Sequence, residues 1–413
     1  MTLLSPSEHD LLDRAAAAPM LAQVQLWAAI NSGSRNLDGL ARMADTLADA
    51  FSALPGTLRL IDAVPVETIQ PDGHIQTIAH GRHLHLSVRP DAPIRLLLTG
   101  HMDTVFPLDH PFQTQTWLEP GVLNGPGVAD MKGGIAVMLA ALTAIEASDA
   151  VATLGYDVII NSDEEVGSPS SAALLKEAAV GKVAAFTYEP ALPDGTLAGA
   201  RAGSGNFSII VTGRSAHAGR NPEEGRNALL AAADLALRLK AGSGPIAGNR
   251  GFSCNPAKID GGGPNNVVPD HAVLRVNFRP RTPEDEIAAR VLIDREMAEV
   301  ARHHDVTLHL HGGFGRPPKP MDAKAERLFG LVRQCGADLG LTIGWRDTGG
   351  VCDGNNIAAC GIPVVDTMGV RGGSIHSNAE FLLTDSLPER ARLSALAIWR
   401  IAQGHYDKEG ITA

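Results

Sequence analysis

Ile94-Arg-Leu-Leu-Leu-Thr-Gly-His-Met-Asp-Thr-Val-Phe-Pro107 is the stretch from which the rest of the chain can be read. Its Leu-rich run, closing on Gly100, reads as a strand buried on both faces. His101 and Asp103 follow two residues apart, on one side of an extended chain. Ligands in open α/β sheets bind outside the carboxyl ends of the strands, so a histidine at such a tip faces a site rather than the core. Two readings fit this stretch alone. Either Asp103 takes the proton on one ring nitrogen and leaves the other for a metal, or the two side chains merely satisfy each other in a turn. Other strand tips must decide.

The totals narrow the field. A chain of 413 residues exceeds one ordinary core, which predicts two domains. Its 44% hydrophobic and 20% charged residues are those of a globular protein, and a net charge of −11 argues against a nucleic-acid partner. No membrane partner is expected. The opening MTLLSPSEHDLLDR is acidic where a signal peptide is basic, and no uninterrupted apolar span approaches the length of a membrane helix. The expected location is cytoplasmic. Cys254, Cys335, Cys352 and Cys360 lack CxxC spacing and read as inert thiols in a reducing compartment.

Helical periodicity between Pro19 and Leu54 predicts one or two helices, and alternation from Leu58 to Val88 predicts strands, with turns at Pro71-Asp-Gly73 and His80-Gly81. His83 and His85 share one face of such a strand; with no carboxylate beside them they read as solvated strand histidines. After the organising strand, a Gly/Pro loop leads to Asp130 and a helix with an apolar stripe from Ile135 to Ile145. Asp130 fits either a site or a cap on that helix. The strand Tyr156–Ser162 ends in Asp163-Glu164-Glu165, and Val183–Tyr188 delivers Glu189. Crowding acids at one end of a buried sheet is costly unless a cation neutralises them. From about Gly203 the order is strand, helix, strand, strand, helix, strand, a compact ferredoxin-like α+β module inserted into the larger domain. Gly312–Pro320 reads as its exit linker. The expected division is 1–202 with 314–413 around an insert of 203–313. A further buried strand, Ile362–Gly369, leads through a Gly-rich loop to His376.

The tips together supply His101, Asp130, Glu165, Glu189 and His376. Five ligands exceed what one catalytic zinc needs but suit two ions bridged by one carboxylate. Asp130 is the expected bridge, with His101 and Glu189 on one ion and Glu165 and His376 on the other. Such a centre acidifies water and stabilises the oxyanion of a tetrahedral intermediate. Glu164 and Glu165 point to opposite sides if extended, which leaves Glu164 as general base.

With these residues in place the chain resembles the co-catalytic di-zinc peptidase and deacylase family of carboxypeptidase G, acetylornithine deacetylase, succinyl-diaminopimelate desuccinylase and the aminoacylases. GHMDTVFP, GPGVADMKGG, SDEEVGSPSS, TYEP, GRSAHAG and GGSIHSNAEFLL stand in that family's order over nearly the whole length. The resemblance implies a mixed-sheet zinc-peptidase domain with helices on both faces and an inserted ferredoxin-like lid and dimerisation domain. It assigns zinc to His101, Asp130, Glu165, Glu189 and His376, with Co or Mn as possible substitutes. Asp103 becomes a buttress, Glu164 the base, and Asp130-Met131 a cis peptide. It also implies that His217 reaches a partner subunit's active site in a homodimer, and that Asn266 and Arg279 hold the substrate's free carboxylate. Glu189 resembles the carboxypeptidase G and deacylase branches, and HAGRNPEEGRNA with the closing GIPVVDTMGVRGGSIHS is most similar to glutamate carboxypeptidases. One departure stands out: Asp347–Asn356 carries Cys352 and an Asn pair where a Thr-Asp-Ala pattern is expected, in a loop expected to border the substrate pocket. The leading expectation is a zinc-dependent hydrolase cleaving the amide between an acyl group and an amino acid with a free α-carboxylate, an acidic amino acid being expected, probed against a deacylase of a biosynthetic intermediate and a catalytically silent binding protein.

Overall fold

Among residues 4–246 and 250–406, which the computed structural model describes, Ile94–His101 lies inside a six-stranded sheet. The strand order is Thr57–Ile61, His83–Val88, Leu154–Asn161, Ile94–His101, Ala184–Thr187, Val364–Val365. Ile94–His101 pairs in parallel with both neighbours, and the first two strands join antiparallel. Alternate side chains feed two cores. Leu96, Leu98, Val158, Ile160 and Phe186 pack with the helices Pro6–Ala16, Met20–Ala28, Leu37–Phe51, Gly134–Glu146 and Ser386–Ala402. Leu97, Ile159 and Ala185 pack instead with Ala172–Ala179 and Asp353–Ala358. Burial on both faces explains why these strands read as continuous apolar runs.

Several expectations change in detail. Pro19–Leu54 holds two helices, as expected, and a third, Pro6–Ala16, precedes them, opened by a capping box of Ser5 and Glu8. The strand expected over Ile362–Gly369 shrinks to Val364–Val365, because Thr367 turns to bridge Tyr188 in the opposite sense. By length and composition Val128–Glu146, though interrupted by Asp130 and Lys132, is apolar enough to cross a membrane, yet it is almost wholly buried inside the fold. Its partners are the helices Pro6–Ala16 and Ser386–Ala402, so every face is apolar for core packing. His83 and His85 are not solvated. His83 is buried against Ser162 and Ser170, and His85 lies 2.7 Å from Asp157, a carboxylate on the neighbouring strand that local sequence cannot reveal.

The inserted module is an antiparallel sheet in which Thr307–Arg316, Ser204–Thr212, His271–Pro280 and Arg250–Gly261 lie side by side, the fourth-first-third-second order of a ferredoxin-like unit. Helices Ala228–Gly242 and Pro283–His304 cover one face with their own apolar cluster. The last strand runs through Arg316, so the segment read as a linker from Gly312 is strand for half its length. Gly312, with φ of 102°, opposes Phe207 there, and its lack of a side chain disguised the pairing. The hairpin Val66–Ile69/Ile75–Ile78 reaches the opposite face of this sheet: Arg275 donates to the Ile69 carbonyl at 2.9 Å.

The Gly133-Gly134 pair has a steric cause. A Cβ on Gly134 would sit 1.9 Å from the Tyr188 carbonyl oxygen, so only glycine lets this helix approach the strand that carries Glu189. Gly134→Ala is expected to lower stability by about 1–3 kcal/mol, as overpacking does. Gly330→Ala, in a helix with nothing within 4 Å of the new methyl, should raise it by roughly 1 kcal/mol. Denaturant melts of the two variants check this, and equal shifts of the same sign would remove the close-approach argument.

Candidate metal centre

Parallel pairing sets His101 opposite Asn161 and Thr99 opposite Thr187, so the segments that follow the three strands leave at one edge of the sheet. His101 Nδ1 lies 3.0 Å from the Asp103 backbone oxygen and 3.4 Å from its carboxylate. Nδ1–H therefore donates to Asp103, and Nε2 turns to Asp130 Oδ1 at 3.0 Å and Glu189 Oε2 at 3.8 Å. On the other side, His376 Nε2 lies 3.2 Å from Asp130 Oδ2 and 3.1 Å from Glu165 Oε2. Asp130 thus sends one oxygen to each imidazole. His101 is sealed in the interior, whereas the His376 side chain is 54% exposed and stands at the mouth. The two triplets His101, Asp130, Glu165 and His101, Glu164, Glu189 each bring ligand atoms within 4.8 Å of one another, a spacing suited to a metal ion.

Asp130 caps no helix. Its φ and ψ are −113° and 91°, the Asp130-Met131 peptide is cis as the resemblance implies, and the helix starts beyond it without a side-chain cap. The Asp163-Glu164-Glu165 run is not extended but bends into a short 3₁₀ turn, which still parts the carboxylates. Asp163 turns away to accept from the Ser170 and Ser171 amides. The Asp103 carboxylate accepts from Ser34 Oγ at 2.7 Å and from the amides of Glu164 and Glu165 at 3.2 Å, so it shapes this turn as well as flanking His101.

Two residues that sequence reasoning missed complete the surround. Arg316, at the end of the strand mistaken for a linker, is buried and donates to the Glu164 carbonyl at 2.8 Å and Ser168 Oγ at 2.9 Å. Its guanidinium also pairs with Glu164 Oε1 at 2.7 Å, a close approach not aligned as a hydrogen bond. Glu380, inside the GGSIHSNAEFLL segment, accepts from the amides of Gly127, Ala129 and Asp130 at 3.0–3.2 Å. An acid four residues after His376 was the available signal.

The electrostatics fit a cation. Burial, reinforced by the Asp130 charge, pushes Glu165 up to about 8. Burial also pushes Glu164 up to about 7 against the pull of Arg316, and raises Glu189. Hydrogen bonds donated to Asp130 and Glu165 lift His376 to about 11, and against its burial the acids around His101 hold that imidazole well above its ordinary value. Glu164 Oε1 and Glu189 Oε1 are buried with no hydrogen-bond partner. Carboxylates so placed need positive charge from protons or from metal.

A cavity of about 850 Å³ opens onto Asp130, Glu164, Glu165, Glu189 and His376. Arg279 and the loop through Cys352 line it, in agreement with the expected border. The Cys352 thiol is buried, caps the helix Asp353–Ala358 and is pushed well up by burial, in keeping with an inert thiol. His217 and Asn266 do not line the cavity. They are exposed side by side in the insert, where the Ala218 amide donates to the Asn266 carbonyl.

Fold and site together define a hydrolase of the metallopeptidase class. The chain belongs to Peptidase family M20/M25/M40, whose model matches residues 97–400. It is 31% identical to carboxypeptidase G2 of Pseudomonas sp. (strain RS-16) over 312 residues, 75% of this chain and 74% of that one. It is 28% identical over 318 residues to succinyl-diaminopimelate desuccinylase of Psychrobacter arcticus, covering 72% and 76% of the two chains. The Bacillus subtilis YXEP protein, described as a dinuclear metal binding peptidase from the M20 family, superposes with a TM-score of 0.64 at 16% identity, over 93% of this chain and 98% of its own.

Glu380→Ala is expected to weaken metal retention about 10–100-fold, the scale for residues that orient ligands, with the native far-ultraviolet spectrum kept. Retention equal to wild type in competition with a chelator would exclude this role. In chelator-treated protein, the folded-state pKa values of Glu164 and Glu165, about 7 and about 8, exceed the ordinary carboxylate value of 4.5. The folded form then binds more protons than the unfolded one, so stability should fall as pH rises from 4.5 through 8. Added divalent metal should flatten that slope; a metal-free protein that gains stability over this range in urea titrations contradicts the account.

Proposed function

We propose that this protein is a two-metal amidohydrolase that cleaves the amide bond of N-acyl amino acids or peptides bearing a free carboxylate, in the manner of glutamate carboxypeptidases. The observation that carries the reading is the division of Asp130 between His101 and His376. His101, Asp130 and Glu189 would hold one ion; His376, Asp130 and Glu165 the other. Nitrogen and oxygen donors suit zinc, which we assign, with Co or Mn as substitutes. When bound, such ions supply an acidified water and a sink for negative charge developing on the scissile carbonyl.

The chain's own groups do the rest. Glu164, beside His101 and Glu189, accepts the proton of the attacking water and passes it to the leaving amine. Arg316 holds Glu164 by main chain and side chain. Arg279 bears no ion pair among the described residues and receives the substrate's α-carboxylate at the cavity wall. His217 and Asn266 lie away from the cavity of their own chain, which supports a homodimer in which each insert lends them to the partner's site. Free cysteines support a cytoplasmic location. The similarity to a desuccinylase favours one second reading, an N-deacylase of a biosynthetic intermediate, which uses the same chemistry on another acyl group.

Glu164→Gln should reduce kcat on N-acyl amino acids by about 10²–10⁴-fold, the usual scale for general acid–base catalysis, with unaltered metal content by elemental analysis. Turnover at the wild-type rate would end the assignment of Glu164. A panel of N-acylglutamates against N-acetylornithine and N-succinyl-diaminopimelate separates the two substrate readings.

A further inference from the structure

The loop Asp347–Asn356, which departs from the expected Thr-Asp-Ala pattern, does more than border the cavity. Its Asp353, Asn355 and Asn356 open the helix Asp353–Ala358, and all three are buried. Both oxygens of Asp353 accept hydrogen bonds, Oδ2 from Asn161 Nδ2 at 2.7 Å and Oδ1 from Ser168 Oγ. Ser168 Oγ in turn accepts from Arg316 Nη2 at 2.9 Å, and the same nitrogen stands 3.5 Å from Asp353 Oδ1. Arg316 Nη2 also donates to the Glu164 carbonyl at 2.8 Å and lies 2.7 Å from Glu164 Oε1. A line of buried groups thus runs from Asn161 through Asp353 and Ser168 to Arg316 and Glu164. Its far end is fixed separately: Asn161 pairs in register with His101, and its Nδ2 also reaches Ser171 Oγ at 2.8 Å.

The two asparagines secure the backbone on either side of Arg316. Asn355 Nδ2 donates to the Pro317 carbonyl at 2.8 Å and to the Ala202 carbonyl at 2.9 Å, at the exit from the insert and the entry to it. Asn356 Nδ2 donates to the Gly315 carbonyl at 3.3 Å. One short helix therefore holds Arg316 by its main-chain neighbours and by its guanidinium.

We infer that Asp353 is a positioning residue for the general base, fixing the Glu164 carboxylate through Ser168 and Arg316, with Asn355 and Asn356 steadying the strand that carries Arg316. This inference rests on the hydrolase reading and on Glu164 as its base. Glu164 Oε1 has no aligned hydrogen bond of its own, so its place depends on where the guanidinium stands. An arginine side chain is long and rotamer-rich, and it holds one position only when its donors meet fixed acceptors. Asp353 and Ser168 supply those acceptors from elements outside the insert. A misplacement of a catalytic group by about 1 Å costs on the order of 10²-fold in rate, which is the scale of effect available to such a support.

Asp353→Asn keeps the shape of the side chain but turns an amide NH₂ toward Ser168 or Asn161, where an acceptor is needed. In the full-length, metal-loaded protein, kcat on N-acyl amino acids should fall about 10–100-fold, with KM within about threefold and metal content unaltered. The decisive comparison is made in the Glu164→Gln background. There the same substitution should change the residual kcat by less than about threefold, because the group it positions is already gone. Ser168→Ala should lower kcat in the same direction and should not add to Asp353→Asn; if Asp353→Asn does not fold, Ser168→Ala carries the whole comparison. Losses that multiply in the Glu164→Gln background overturn the inference, as does a wild-type kcat in both single variants. A fall in kcat that tracks lost metal overturns it too, since Asp353 would then support the metal ligands and not the base. A wild-type protein inert toward N-acyl amino acids and peptides removes the hydrolase reading and this inference with it, whereas an active wild type with multiplying losses removes the inference alone.

Discussion

One carboxylate shared between two imidazoles is the constraint on which this structure turns. Asp130 can face His101 and His376 at once only if its backbone leaves helical geometry just before a buried helix begins. Three amides of that irregular turn are satisfied by Glu380, which comes from the same carboxy-terminal segment as His376. The two halves of the site are thereby fastened to each other through main-chain hydrogen bonds, independent of any ion. Glycine at 134 lets the helix behind Asp130 press against the strand that presents Glu189.

The charge distribution follows from the same constraint. Acids crowd at the carboxyl edge of the central sheet, where burial alone would protonate them, and Arg316 enters from the insert to offset part of that crowding at Glu164. A cationic residue of one module thus sits against the proposed base of the other. The insert sheet gives its apolar face to two helices and its polar face to the cleft, so Arg275, Arg279 and Arg316 line the cavity there. The hairpin Val66–Ile69/Ile75–Ile78 covers that polar face and turns a groove into a chamber.

Much of this was legible in the chain order. Apolar runs ending in His101, Asn161-Ser162 and Thr187-Tyr188 identified parallel strands whose tips carry acids and imidazoles, because burial on both faces leaves an unbroken hydrophobic signature. The order of elements in the insert was legible for the same reason, through its two periodicities. Where the reading failed, the cause was local. A glycine-rich strand was taken for a linker at Gly312, where the missing side chain hid the pairing. His85 was read as solvated because its carboxylate partner, Asp157, lies on another strand.

By itself, then, the sequence determined the family, the strand tips and the residue types gathered there, since hydrophobic period and motif order are written along the chain. Only the tertiary structure decided which oxygen of Asp130 meets which imidazole, that Glu380 rather than a helix end holds its turn, and that Arg316 reaches Glu164. Those pairings join residues far apart in sequence, and their geometry is set by strand register and side-chain packing, which no local pattern encodes.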